Sequence, residues 1–155
     1  MYQGMLHLHS VLRWVILILL LVAIYKSIAD RKKPFTAGHR KTGLFLLISA
    51  DLMFLIGLYQ WIFGDLGLKS IRENGMSVVM KDNVLRFFAV EHFVGMLIAI
   101  IMIHIGYSYA KRKVEDSVKH KRAILYFGLA LLLILIFIPW PFRDVGVGRT
   151  WLPGM

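Results

Sequence analysis

The sequence predicts an all-α integral membrane protein, a four-helix bundle with both termini on the outer side of the membrane. Three observations carry that expectation. Hydrophobic residues make up 58% of the 155 residues and the mean hydropathy is +0.66, too apolar for a soluble domain of this length. The apolar residues fall in four runs of about the length that crosses hydrocarbon. Lys26, the first connection and the third connection together hold 12 of the 19 lysines and arginines, and the positive-inside rule places those connections in the cytoplasm. A single four-helix domain is expected over residues 1–155, with spans at about 6–29, 43–63, 85–110 and 123–138.

The first run, LHLHSVLRWVILILLLVAIYKSIA from Leu6 to Ala29, opens with histidines and an arginine, lacks a small-residue cleavage site after a short hydrophobic core, and is read as a retained helix. A basic turn with Pro34 and Gly38 as breakers follows. The second run, Gly43 to Phe63, carries Asp51. The connection from Gly64 to Asn83 is mixed in charge, and its SVVMKDN portion has the character of a short interfacial segment. The third run holds Glu91, His92 and His104 within an otherwise apolar stretch. The second basic connection, AKRKVEDSVKHKR, leads to the fourth run, Ala123 to Ile138, which Pro139-Trp140-Pro141 closes. The remaining tail is expected to be irregular. Tyr2, Trp14, Trp61, Trp140 and Trp151 fall near the outer boundary, where aromatic belts form.

Composition also excludes functions. The chain has no cysteine, which rules out disulfides, iron–sulfur clusters and thiolate haem ligation. Any metal or haem must be held by His, Met, Tyr or carboxylates. The net charge of +10 lies in short connections between apolar spans, which points to membrane topology and away from nucleic acid. No nucleophile motif, phosphate loop or metal-hydrolase spacing appears, so an electron-carrying or accessory subunit is expected rather than an autonomous enzyme.

Ionisable groups in hydrocarbon are costly and mark candidate sites. In the third span, helical geometry at about 100° per residue puts His92, Gly95, Ala99 and Gly106 within roughly 60° of one another. An imidazole beside a strip of small residues suits a flat ligand; the same strip also suits close approach of another helix. His104 lies about 120° around the helix and serves a different face. A bis-histidine b-type haem needs imidazoles from facing helices and cations for its propionates. His9 and His92 are the candidate axial ligands, at similar depth on the first and third spans. Arg13, Arg86 and Arg143 are the candidate propionate partners, with snorkelling to headgroups as the alternative. Glu91 either orients His92 or Arg13, or pairs with Arg86. His7 points largely elsewhere.

Nearer the cytoplasm, Asp51 and His104 are expected at comparable depth, as a packing pair or as part of a proton path. His39 and His120 fall in basic connections, where solvated or lipid-headgroup contacts are expected. Tyr59, Gln60 and Tyr107 are the candidate donors to a quinone.

The stretches LHLHSVLRW, VLRFFAVEH, HKRAILYFG and IPWPFR resemble a family of short four-helix bacterial membrane proteins carried under a cytochrome-b-like label. The resemblance touches the first, third and fourth spans. It implies one haem b on His9 and His92, with Arg13, Arg86 and Arg143 as supporting cations, in the bacterial cytoplasmic (inner) membrane with periplasmic termini. Respiratory cytochromes b carry paired histidines on each of two helices, whereas here the second and fourth spans have none, so a second haem is not expected. The leading expectation is an electron-transfer subunit of a larger respiratory or redox complex. Its competitor is a cofactor-free accessory or scaffold subunit.

Overall fold

The computed structural model describes residues 2–143 and 146–151. Residues 1, 144–145 and 152–155, and the Tyr2 side chain assigned above to an aromatic belt, lie outside the described residues. Among the described residues the regular structure is entirely helical.

Helices follow the apolar runs and overshoot them at the basic ends. Helix α1 spans Tyr2–Ala29. Helix α2 spans Ala37–Phe63, six residues longer at its start than its apolar run. Thr36 is extended there and its backbone N–H donates to His39 Nδ1 at 3.2 Å, satisfying a group that the helix itself cannot pair. The connection to the third span folds into α3 (Leu68–Asn74) and α4 (Met76–Val79), separated by Gly75 at φ +79°, where a side chain would be strained. The Asp82 carboxylate then accepts from the backbone of Val84 (2.9 Å) and Leu85 (2.8 Å) and starts α5, Asn83–Arg86.

The third span is not one regular helix. A π-helical turn, Phe87–Glu91, lies between α5 and α6 (His92–Lys111). Such turns insert one residue into the helical repeat and are frequent at functional sites. Trp61 Nε1 of α2 donates to the carbonyl of Ala89 in this turn at 3.0 Å, and the Trp61 ring stacks on Phe93 at 4.6 Å. The irregular segment is thereby fastened to α2.

Helix α7 spans Asp116–Phe137, beginning seven residues before its apolar run with an aspartate in the first turn, where the helix dipole favours negative charge. Pro139 disfavours helical backbone at the residue before it, and Ile138 is extended.

Four segments are long and apolar enough to cross a membrane: Gln3–Ala29, Ala37–Asn74, Asn83–Lys111 and Asp116–Phe137. Helices α1 and α6 each pack against both α2 and α7, which places α2 and α7 on one diagonal of the bundle. Leu20, Leu46, Ile103 and Ala130 are completely enclosed at its centre, while Ile18, Phe45, Leu55 and Leu132 point outward, the arrangement expected of a lipid-facing surface.

The small residues set how closely the helices meet. A Cβ on Gly106 would lie 2.7 Å from Phe127, and one on Gly95 would overlap the Phe137 ring. Both glycines therefore admit α7. This corrects the assignment of Gly95 to a cofactor wall: of the strip, Ala99 faces the cavity described below, whereas Gly95 and Gly106 are occupied by helix packing.

The first connection is clasped to the start of α7. His39 Nε2 lies 3.3 Å from Asp30 Oδ2, the His39 and His120 rings meet edge-on at 4.9 Å, and His120 Nε2 donates to the Lys33 carbonyl at 3.2 Å. His120 is wholly buried rather than solvated in a loop. The Asp30 carboxyl is held below its ordinary value, chiefly by the hydrogen bond from Lys33 and against the opposing effect of burial.

Candidate functional site

At the other end of the bundle, α1, α2 and α6 leave a cavity of about 550 Å³, within the range of small-molecule and cofactor sites. His9 and His92 both line it. Their ring centroids are 6.4 Å apart at an interplanar angle of 57°. The wall is largely apolar, with Ala50, Met53, Met96, Ala99 and Ile100 among its members, and Arg13, Arg149 and Thr150 contribute polar groups.

Each histidine is set by its surroundings. His92 directly follows the π-helical turn, and its Nδ1 lies 2.7 Å from the Phe137 carbonyl. A carbonyl only accepts, so Nδ1 carries the hydrogen and Nε2 keeps its lone pair. Metal-binding histidines are commonly oriented in this way. His9 sits against Gly57 of α2: a Cβ there would be 3.2 Å from His9 Cε1, so only glycine leaves the imidazole its place without adjustment. His9 Nδ1 is buried without a hydrogen-bond partner, an uncommon state for such a group.

The arginines divide between two places. Arg13 is 7% exposed and lines the cavity. Its Nη2 donates to the Trp151 carbonyl at 2.7 Å, while its buried Nε has no partner. The tail thus returns over α1, where Trp14, Trp140 and Trp151 gather, and brings Arg149 and Thr150 to the cavity. Arg86 and Arg143 line a second cavity of about 350 Å³ with Glu91 and Phe87. Arg86 Nε donates to Glu91 Oε1 at 2.7 Å, and its Nη1 and Nη2 donate to the Met80 carbonyl and Asn83 Oδ1. The Arg143 guanidinium stacks over Phe87 at 4.9 Å and donates to the Ile136 carbonyl. Neither of these two residues lines the His9–His92 cavity. Glu91 takes the Arg86 alternative and makes no hydrogen bond to His92 or Arg13.

Asp51 and His104 do meet, with His104 Nε2 2.8 Å from Asp51 Oδ1. The pair lies on the outside of the bundle, each side chain about half exposed. The three candidate quinone donors do not converge: Gln60 donates to the Met5 carbonyl and Tyr59 packs on Phe63, whereas Tyr107 sits against Gly43 at the opposite end of α2.

The cavity's residues fit a bis-histidine haem on three counts. His9 and His92 come from two helices and bring their imidazoles to one cavity, with ring centroids 6.4 Å apart. His92 has the tautomer that leaves Nε2 available to a metal. His9 carries an unspent buried nitrogen, and Gly57 provides the space in which that ring is held. Arg149, Thr150 and Gly57 are site residues that sequence reasoning misses. A glycine inside an apolar span is a recognisable signal of close approach, whereas nothing in the tail's composition shows that it folds back over α1.

Fold and site together define a small multi-pass helical membrane protein with a histidine-lined cavity. Comparison with protein-family models, curated proteins and solved structures found no significant match.

Proposed function

We propose that this chain is a membrane electron-transfer protein holding one b-type haem between His9 and His92, as a small subunit of a respiratory or redox complex in a bacterial cytoplasmic membrane, with both termini on the periplasmic side. The observation that carries the reading is the pair of imidazoles 6.4 Å apart on one cavity, one of them oriented by a backbone carbonyl. The distribution of Lys and Arg supports the orientation, and the four-helix pattern with its resemblance to cytochrome-b-like proteins supports the class.

Bound haem supplies one-electron chemistry, with a potential that depends on its ligands and their environment. The residues of this chain would supply the rest. His9 and His92 would hold it from two helices, so the site exists only when α1 and α6 are correctly packed. The Phe137 carbonyl holds the His92 hydrogen at Nδ1 and makes the ring a better donor through Nε2. The aliphatic and methionine wall would lower the local dielectric around the group. Arg13 and Arg149 are the cations placed to meet carboxylates, a role the sequence assigns to Arg13, Arg86 and Arg143.

Haemin titrated into purified protein tests the reading. Saturation at one equivalent per chain, abolished in His92→Ala, is the expected result; full retention in that variant excludes His92 as an essential ligand. The second reading, a cofactor-free accessory subunit, is favoured by Arg86 and Glu91, which satisfy each other without a ligand, and by the filling of the Gly95 and Gly106 positions by α7. Protein that rejects haemin supports that reading.

A further inference from the structure

The Asp51–His104 pair is not used by the proposed site, and its position is costly. Asp51 lies near the middle of α2 and His104 within α6. Ile48 and Leu55, one turn before and after Asp51 on α2, are exposed, as is Ile101 one turn from His104. The pair therefore sits in an apolar band on the outer surface of the bundle, at 45% and 49% side-chain exposure. Ionisable groups at membrane depth almost always face protein or an aqueous cavity rather than lipid. Each partner also has unused capacity: the contact takes only Asp51 Oδ1 and His104 Nε2, and among the described residues Asp51 Oδ2 and His104 Nδ1 have no hydrogen-bond partner.

We propose that the α2–α6 face is covered by a second copy of this chain, related by a two-fold axis along the membrane normal, with Asp51 and His104 at the centre of the interface. The charge pattern selects this occupant. A face carrying an acceptor beside a donor is complementary to its own two-fold image, because rotation about the normal keeps depth and sets the Asp51 side of one copy against the His104 side of the other. Depth agrees automatically, which no unrelated partner guarantees. Each His104 keeps its own Asp51 through Nε2, and the two-fold sets its unused Nδ1 against the unused Oδ2 of Asp51 in the second copy. Ile48, Leu55 and Ile101 supply the apolar contact around them. The inference does not depend on haem binding.

The cysteine-free sequence makes the test direct. Ile101→Cys protein is mixed with Leu55→Cys protein, whose cysteine the two-fold sets against it at the same depth, and the mixture is reconstituted in vesicles of phosphatidylethanolamine and phosphatidylglycerol and oxidised. A disulfide-linked heterodimer is expected. Leu132→Cys, exposed on α7 at the far side of the bundle, is expected to give at least tenfold less in place of Leu55→Cys. Replacing the pair by Asp51→Leu with His104→Leu should lower the Ile101→Cys yield about tenfold, and the exchange Asp51→His with His104→Asp, which preserves the complementarity, should restore it. Because these replacements could also unfold the chain, the otherwise native protein is counted independently by photobleaching of a dye on Lys113→Cys, with two steps per particle expected. One-step bleaching, cross-linking at Leu132→Cys equal to that at Leu55→Cys, or a yield unchanged by the double leucine replacement would each overturn the proposal.

Discussion

Replacing Gly95 with alanine separates the two roles open to the small-residue strip. The added methyl would overlap the Phe137 ring at Cγ as well as at its edge, so rotation of the ring about its own axis does not clear it, and α6 and α7 must move apart. Overpacking of this kind costs about 1–3 kcal/mol. For a chain of this length each kcal/mol corresponds to roughly 2–4 °C in Tm, which gives an expected loss of roughly 2–12 °C. A second effect follows from connectivity, since the Phe137 carbonyl accepts the hydrogen bond from His92 and displacing it turns the imidazole. Loss of such an orienting partner typically costs about 10–100-fold in affinity. The assay is thermal unfolding in detergent, followed by tryptophan fluorescence, together with a haemin titration of Gly95→Ala, Phe137→Leu and the double variant. Removing the ring should make room for the methyl, so the double variant should recover part of the loss, with a coupling of about 0.5–3 kcal/mol. Additive effects, or a Gly95→Ala protein as stable as the wild type, would refute this account of the α6–α7 contact.

Further outcomes follow from the same geometry. Gly57→Val fills the space beside His9 and should weaken haemin binding by at least tenfold, read by titration, while secondary structure measured by circular dichroism is retained. Arg86→Ala should leave haemin affinity within about twofold of wild type, because Arg86 lines the other cavity, whereas Arg13→Ala should weaken it; equal losses would contradict the division of the arginines. The clasp at the other end responds to acid. The Asp30 carboxyl is held below its ordinary 3.8, so its contribution is present above that value and disappears as the pH falls through its lowered folded-state value. Proteolysis of the first connection should therefore accelerate in the wild type as the pH falls below the ordinary carboxylate value, and be faster at neutral pH in Asp30→Asn; an Asp30→Asn rate equal to wild type at neutral pH would contradict the clasp.

The four helices are legible because apolar runs of that length have few other uses, and Pro34 and Pro139 mark limits, whereas Gly38, expected as a breaker, lies inside α2. Helix ends are less legible. Charged residues interrupt hydropathy without interrupting helix, so α2 and α7 continue through His39, Arg40, Lys119 and Arg122. The Asp51–His104 contact follows from depth alone. His9 and His92 line one cavity, and the π-helical turn that precedes His92 leaves no compositional trace: one inserted residue changes the register of the third span without changing its apolar character. Closeness to one boundary groups Arg13, Arg86 and Arg143 in the sequence, but depth does not distinguish faces. Arg86 lies on the turn before the π segment and finds Glu91, while Arg149 reaches the cavity through a fold-back of the tail that only tertiary contacts reveal.

The most direct measurement is the absorption spectrum of the protein purified from membranes of a haem-sufficient host, oxidised and then reduced with dithionite, beside His9→Ala and His92→Ala. The account predicts one low-spin, six-coordinate haem b per chain in the wild type, with that signal lost in both variants. A colourless wild-type protein that takes up no added haemin, or a haem signal unchanged in both variants, would contradict it.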